Sequence, residues 1–166
     1  MSAFRVRELR STDAPALLAF EIQNRAWFEA HVDARPPAFY SAQGVVEHID
    51  GYLTYFARGV WHPFVIEDAS GAIVARANLK SIDARQCCAE VGYRVGQSVC
   101  GQGLATLALR HLIREARQRW QLTQLLAYVF KDNLGSCKVL ERCGFLLELE
   151  QADTDAAREY RFTRAL

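Results

Sequence analysis

Apolar and polar side chains alternate from Phe4 to Leu9, with Phe, Val and Leu interleaved with Arg and Glu. This period of two predicts a half-exposed strand. The period then lengthens. Ser11-Thr12-Asp13 offers capping oxygens and Pro15 suits a first turn, so a helix is predicted from about Ala14 to Phe28. His31, Asp33 and the Pro36-Pro37 pair mark a loop. From Ser41 to about Arg58, Val45, Ile49, Leu53 and Phe56 recur at helical spacing, and Gly59 is a stop. Three runs rich in β-branched and aromatic residues follow: Trp61 to Glu67, Ile73 to Ile82 and Cys87 to Val95. Turn residues at Asp68-Ala-Ser-Gly71 and Asp83-Ala-Arg85 separate them, so they read as an antiparallel meander.

The second half opens with the most regular helical pattern in the chain. Leu104, Ala108, Leu112, Ala116 and Trp120 form one stripe, widened by Leu109 and Ile113, while Arg110, Arg114, Arg117 and Arg119 stay outside it. A buried strand from Leu125 to Phe130 and a short helix from about Asn133 to Cys143, ended by Gly144, come next. Strands at Phe145 to Glu150 and Tyr160 to Thr163 complete the series. The order β-α-α-β-β-β-α-β-α-β-β predicts an α+β fold, a mixed and mostly antiparallel central sheet flanked by helices. There is no internal repeat, low-complexity tract or linker, and one domain spanning residues 1–166 is expected.

Composition narrows the function classes. A chain of 166 residues with 51% hydrophobic content can bury a substantial core. The net charge of +1 gives no overall drive toward nucleic acid or an anionic membrane; although 17 of the 20 basic residues are Arg, any basic site must be local. Without a membrane-length apolar run or a signal-peptide core, a cytoplasmic protein is expected, a monomer or homodimer. Cys87, Cys88, Cys100, Cys137 and Cys143 are odd in number and lack metal-ligand spacing, so they read as reduced thiols and no metal is expected.

The chemistry begins at Ser98-Val-Cys-Gly-Gln-Gly-Leu-Ala105, a glycine-rich turn between the third meander strand and the long helix. Glycines let a ligand approach the main chain, and the first N–H groups of a helix lack partners and carry the positive end of its dipole. Such a turn can hold a phosphate or pyrophosphate. It is not a Walker loop, because Leu-Ala follows Gly103 where Lys-Ser/Thr would stand. Nor is it a dinucleotide fingerprint, because Thr106 occupies the place of the third glycine. A plain connecting turn is the remaining alternative.

A second motif reduces that ambiguity. Asp132-Asn-Leu-Gly-Ser-Cys-Lys-Val-Leu-Glu-Arg-Cys-Gly-Phe145 resembles the Asn-x-x-Ser-x-x-Val-Leu-Glu-x-x-Gly-Phe signature of GCN5-related N-acetyltransferases. Gly101-Gln-Gly-Leu-Ala105 resembles that family's acetyl-CoA pyrophosphate loop, and Ala89-Glu-Val-Gly-Tyr93 the strand before it. Asn24-Arg-Ala-Trp-Phe-Glu29 and the Pro-rich loop after it are similar to the branch that acetylates N-terminal residues of ribosomal proteins. Ser98 stands where the family's loop often carries Gln or Arg, so binding would lean on backbone N–H groups.

The resemblance implies an acetyl-CoA-dependent N-acetyltransferase acting by direct attack of an amine in a ternary complex. Its donor site would comprise Tyr93, Arg94 and Val95 along the pantetheine, with Val99, Cys100, Gly101, Gln102, Gly103, Leu104 and Ala105 around the pyrophosphate. Asn133 would bind pantetheine amides or cap its helix, and Lys138 and Arg142 would approach the 3′-phosphate or remain a solvated face. Glu90, just before the bulge-prone Val91-Gly92-Tyr93, would take the amine proton through water; the plainer reading is a solvated strand residue. Ser136 would protonate the departing thiolate or merely cap a helix, with Tyr128 and Tyr160 as alternative donors. Because orientation alone can lower the barrier substantially, neither Cys100 nor Cys137 is assigned as a nucleophile. Cys100 is open to either a redox-sensitive or an inert reading.

Trp27, Phe28, His31 and Tyr40 are the candidates for the amine pocket, with core packing as the alternative. The acceptor stays open between a protein N-terminus and a small molecule such as a polyamine, amino acid or aminoglycoside. A polycation would favour a strongly acidic pocket, and acidic residues near the expected mouth are few: Glu29, Asp33, Glu47 and Asp50. A non-catalytic acyl-CoA-binding module is the alternative from a different class.

Overall fold

Alternation at the N-terminus becomes strand β1 (Arg5–Glu8), followed by helices α1 (Ala14–Gln23), α2 (Arg25–Glu29) and α3 (Ala42–Ala57). The meander forms β2 (His62–Glu67), β3 (Ile73–Asp83) and β4 (Cys88–Val95). After it come α4 (Leu104–Gln118), β5 (Gln124–Phe130), α5 (Leu134–Arg142), β6 (Leu146–Leu147) and β7 (Glu159–Ala165). The computed structural model describes residues 3–148 and 158–166, so the expected strand up to Glu150 runs outside the described residues after Leu147 and Glu148. Among the described residues the strands form one sheet in the order β1-β2-β3-β4-β5-β7-β6, antiparallel except between β4 and β5. No described helix is long and apolar enough to cross a membrane.

Each face of the sheet has its own core. The stripe of α4 buries Leu104, Ala108, Leu109 and Leu112 with Leu140 of α5 against Ala75, Ala77 and Leu79 of β3. Each fully buried leucine contributes about 1.5–3 kcal/mol relative to exposure. On the opposite face Leu17, Phe20, Val45 and Ile49 of α1 and α3 pack with Val65 and Ile73. Because side chains alternate along a strand, Arg76, Asn78 and Lys80 of β3 lie on the face opposite to Ala75, Ala77 and Leu79.

Two local expectations need correction. The helix predicted over 14–28 is broken at Asn24, whose Nδ2 donates to the Phe20 carbonyl at 2.9 Å. Its Oδ1 accepts from Gln97 N, also at 2.9 Å, so the break ties the first helices to the segment entering the glycine turn. The bulge expected near Gly92 is absent: β3 and β4 stay in register from Ala75↔Val95 to Lys80↔Glu90. The irregularity falls instead between Lys80 and Asp83, where Ser81 has φ 49°.

One feature of the sheet prepares a site. β4 and β5 pair only through Cys88↔Gln124, Ala89↔Leu125 and Glu90↔Leu126. Beyond Glu90, β4 continues beside β3 as far as Val95, while β5 continues beside β7 as far as Phe130. The two strands part, opening a wedge whose inner edges carry main-chain groups released from the ladder.

Candidate active site

The glycine turn stands at one end of this wedge. Gly101 and Gly103 have φ 78° and 80°, in the region where a side chain is strained, and an added Cβ would meet nothing within 4 Å at either. Backbone conformation, with open space in front, accounts for both glycines. Gly103 caps α4, and the first helical bond runs from Leu107 N to the Gly103 carbonyl at 2.9 Å. The N–H groups before Leu107 therefore lie ahead of the helical ladder, at the positive end of its dipole. Val99 ends a short 3-10 turn, Leu104 sends its side chain into the core, and Gln102 is exposed.

From this turn a cleft of about 170 Å³ runs between β4 and α5, lined by Tyr93, Arg94, Val95, Cys100, Ala105, Asn133 and Ser136 and covered by Trp27 and Phe28. The Trp27 indole donates to the Val95 carbonyl at 3.2 Å, fastening α2 to the strand edge. The ensemble fits an elongated ligand with a pyrophosphate at one end: free N–H groups at a helix start, then a narrow slot beside a strand edge that has left its β5 partner.

At the inner end of the cleft the Tyr93 and Ser136 hydroxyls are 2.7 Å apart. Tyr93 reaches α5 because it shares a face with Ala89 and Val91, the face that packs on the helices. Burial pushes its phenol up to about 12, so it stays protonated at neutral pH. Asn133 caps α5, its Oδ1 accepting from Ser136 N at 3.2 Å, which holds the serine at the cleft.

The cleft opens into a cavity of about 590 Å³ floored by the polar side of β3 and β4. Glu90 lines it beside Lys80, with Nζ to Oε1 at 3.2 Å. Gly92 gives the lysine room to cross, since a Cβ there would stand 2.9 Å from Lys80 Cε. His31 lines cavity and cleft alike, its Nδ1 2.8 Å from the Trp27 carbonyl.

Arg35 and Arg76, unassigned in the sequence, form the far wall with Arg94, which the resemblance had placed along the pantetheine. Glu21, fully buried on α1, receives Arg76 Nη1 at 2.7 Å, Arg35 Nη2 at 3.5 Å and Arg94 Nη1 at 3.6 Å. Arg76 Nη2 lies 2.8 Å from His48 Nε2, and burial with Arg76 nearby pushes the imidazole down to about 2. Arg94 is lowered to about 10, chiefly by burial and then by Arg35. The available signals were Glu21 within an apolar stretch of α1 and the alternation Arg76, Asn78, Lys80 in a strand otherwise fit for a core.

The other candidates divide between the cavities, the core and the surface. Tyr40 packs beneath the Arg25 guanidinium and lines neither cavity nor cleft, because the loop before α3 turns its ring into the α1/α3 core. Phe28 is buried in the same core with Arg94 over its ring. Lys138 is exposed, and Arg142 lines a separate groove of about 500 Å³ with Arg110, Arg114 and Arg117. Arg114 is ten residues from the start of α4, roughly 15 Å along its axis. Tyr128 is exposed at the cavity, whereas Tyr160 lies outside its lining. All five cysteines are free, and burial raises the Cys100 and Cys137 thiols, the opposite of an activated nucleophile. Among the described residues no group of three or more His, Cys, Asp or Glu side chains is arranged to hold a metal.

Comparison with known proteins agrees with this geometry. Residues 4–146 match the acetyltransferase (GNAT) domain family. A probable N-acetyltransferase, YjcK of Bacillus subtilis, is 32% identical over 143 residues, covering 84% of this chain and 78% of the relative. The ribosomal-protein-serine acetyltransferase of Escherichia coli is 28% identical over 135 residues, 79% of this chain and 73% of its own. The solved structure of RimL, a ribosomal L7/L12 alpha-N-protein acetyltransferase in complex with coenzyme A, superposes with a TM-score of 0.87 at 22% identity. That superposition covers 100% of this chain and 96% of RimL.

Proposed function

The chain belongs to the acetyltransferase (GNAT) domain family, and from that premise we propose that it transfers acetyl from acetyl-CoA to the α-amine of a protein N-terminus. The observation that carries this reading is the wedge between β4 and β5, with the glycine turn at one end and Glu90, Tyr93 and Ser136 at the other. The 28% identity to a ribosomal-protein-serine acetyltransferase supports the choice of acceptor.

When bound, acetyl-CoA supplies an acetyl group activated as a thioester. In this proposal the N–H groups from Val99 to Ala105 hold the pyrophosphate, and the edge from Tyr93 to Val95, with Asn133, holds the pantetheine arm. Glu90 takes the amine proton through a water molecule, leaving the nitrogen lone pair free to attack. Ser136 donates its Oγ proton to the sulfur as the C–S bond breaks, Tyr93 passes its phenolic proton to Ser136, and a proton from solvent restores the phenol.

The test is release of CoA thiol from acetyl-CoA by the purified protein in the presence of short peptides. Peptides with free N-termini should support release and the same peptides with blocked N-termini should not. Preference for spermidine, or release with no amine at all, would defeat the assignment.

A further inference from the structure

Glu21 is one carboxylate facing three guanidiniums, and Arg76 alone satisfies its strongest contact, at 2.7 Å. Arg35 and Arg94 stand at 3.5 and 3.6 Å, beyond good hydrogen bonds, and their side chains keep 18% exposure. Both line the cavity next to Arg76. Three cations against one anion leave an excess of two positive charges in a partly desolvated wall, which is costly unless another anion completes it. The heads are also held for use. Arg35 lies over Phe39 at 4.5 Å, Arg76 over Tyr52 at 5.4 Å and Arg94 over Phe28 at 5.0 Å, so aromatic faces fix the planes. Arg76, only 2% exposed, retains an unpartnered Nε, and Arg35 Nε is unpartnered as well.

We infer that this wall is an oxyanion subsite, and that the acceptor amine carries a carboxylate or phosphate bound by Arg35, Arg76 and Arg94. The inference rests on reading the cavity as the acceptor site. Acidic groups around the cavity do not cancel the wall: Glu90 pairs with Lys80, and Asp33 and Glu159 make no ion pair with the three arginines. The cavity is thus divided, with Glu90 toward the amine and the arginines toward an anion. Arg94 is two positions along β4 from Gly92 at the wedge, roughly 7 Å. That is the reach of a side chain on the second residue of a peptide whose N-terminus enters the wedge. A polyamine would add positive charge beside three guanidiniums, so it is the disfavoured class.

The experiment compares four peptides that differ only at their second residue: Glu, phosphoserine, Gln and Lys. Glu should exceed Gln in kcat/KM by about tenfold to a hundredfold, with Lys below Gln. The phosphoserine arm tells whether phosphate serves as well as carboxylate. Arg35→Gln and Arg94→Gln, each shown to be folded by circular dichroism, should bring the Glu-to-Gln ratio toward one. As a readout independent of turnover, inorganic phosphate added at saturating CoA should raise the melting temperature of the wild type more than that of Arg35→Gln. Absence of turnover with every peptide counts against the acceptor proposed above, while the phosphate arm still decides the subsite. Equal kcat/KM for Glu, Gln and Lys on an active enzyme overturns the inference, as does a phosphate response unaffected by Arg35→Gln.

Discussion

The Tyr93 phenol and the Ser136 hydroxyl, 43 residues apart in sequence, meet at 2.7 Å and join β4 to α5 across the cleft. Only one of the two can donate to the other at a time, and burial keeps the phenol protonated at neutral pH; in the proposed mechanism the pair relays a proton. Ser136→Ala should lower kcat about 10- to 100-fold with a smaller effect on the KM for acetyl-CoA, because the bond to sulfur strengthens as thiolate charge develops. Tyr93→Phe should lower kcat less, since Ser136 retains its own proton. Unaltered turnover in both, with chemistry shown to be rate-limiting, would move the role to Tyr128 or to solvent.

Glu90 tests the other proton. Glu90→Gln keeps the shape and removes the base, so turnover should fall roughly 10- to 1000-fold near neutral pH. Raising the pH should partly restore it as more of the amine arrives neutral. Lys80, 3.2 Å away, competes for the same carboxylate, so Lys80→Met should not reproduce the loss. A rate and pH profile unchanged in Glu90→Gln would make Glu90 a strand residue paired to Lys80 and leave proton removal to water.

The glycine turn can be tested without disturbing its glycines. Valine at Gly103 would strain a backbone at φ 80° as well as block the approach of a phosphate, mixing two effects. Ala105→Asp separates them. An acidic side chain in the first turn of α4 should stabilise the helix by about 0.3–1 kcal/mol while repelling the pyrophosphate. A melting temperature that holds or rises, together with weaker CoA binding by calorimetry, is expected. Unchanged affinity would remove the pyrophosphate from this turn.

His48 should make stability pH-dependent. Its imidazole is held down to about 2 against an ordinary value of 6.5, so the unfolded chain takes up a proton that the folded chain refuses. The contribution is fully present above pH 6.5 and is lost as the pH falls from there toward 2. Between pH 6.5 and 5 the loss from this group can reach about 2 kcal/mol. His48→Gln keeps an acceptor for Arg76 and should flatten the urea-unfolding free energy over that interval. His62 and His111, also lowered by burial, remain in both proteins and cancel in the comparison.

Much of this architecture was legible in the residues. The alternation from Phe4 to Leu9 specifies a strand, and the stripe of Leu104, Ala108, Leu112 and Ala116 a helix and its buried face, because the periods of 2 and 3.6 are properties of the local backbone. The turn at Gly101 and Gly103 was legible for the same reason: the left-handed φ and the helix start belong to a few adjacent residues. Where local reasoning failed, a distant partner had intervened. Nothing near Asn24 announces that it would break a helix to reach Gln97, and nothing in the residues around Tyr40 announces that its ring would pack on the α1/α3 core.

The sequence by itself determined most of the elements, the order of the strands and the glycine turn at a helix start, since each depends on neighbours in the chain. Tertiary structure alone decided that β4 and β5 part after Glu90, that Tyr93 meets Ser136, and that Glu21 faces Arg35, Arg76 and Arg94. A periodic pattern records which face of an element is buried but not what lies against it. The charges of the arginine wall come from α1, the loop before α3, β3 and β4, and their electrostatic interaction depends on separation in space, which only the packed sheet and helices set.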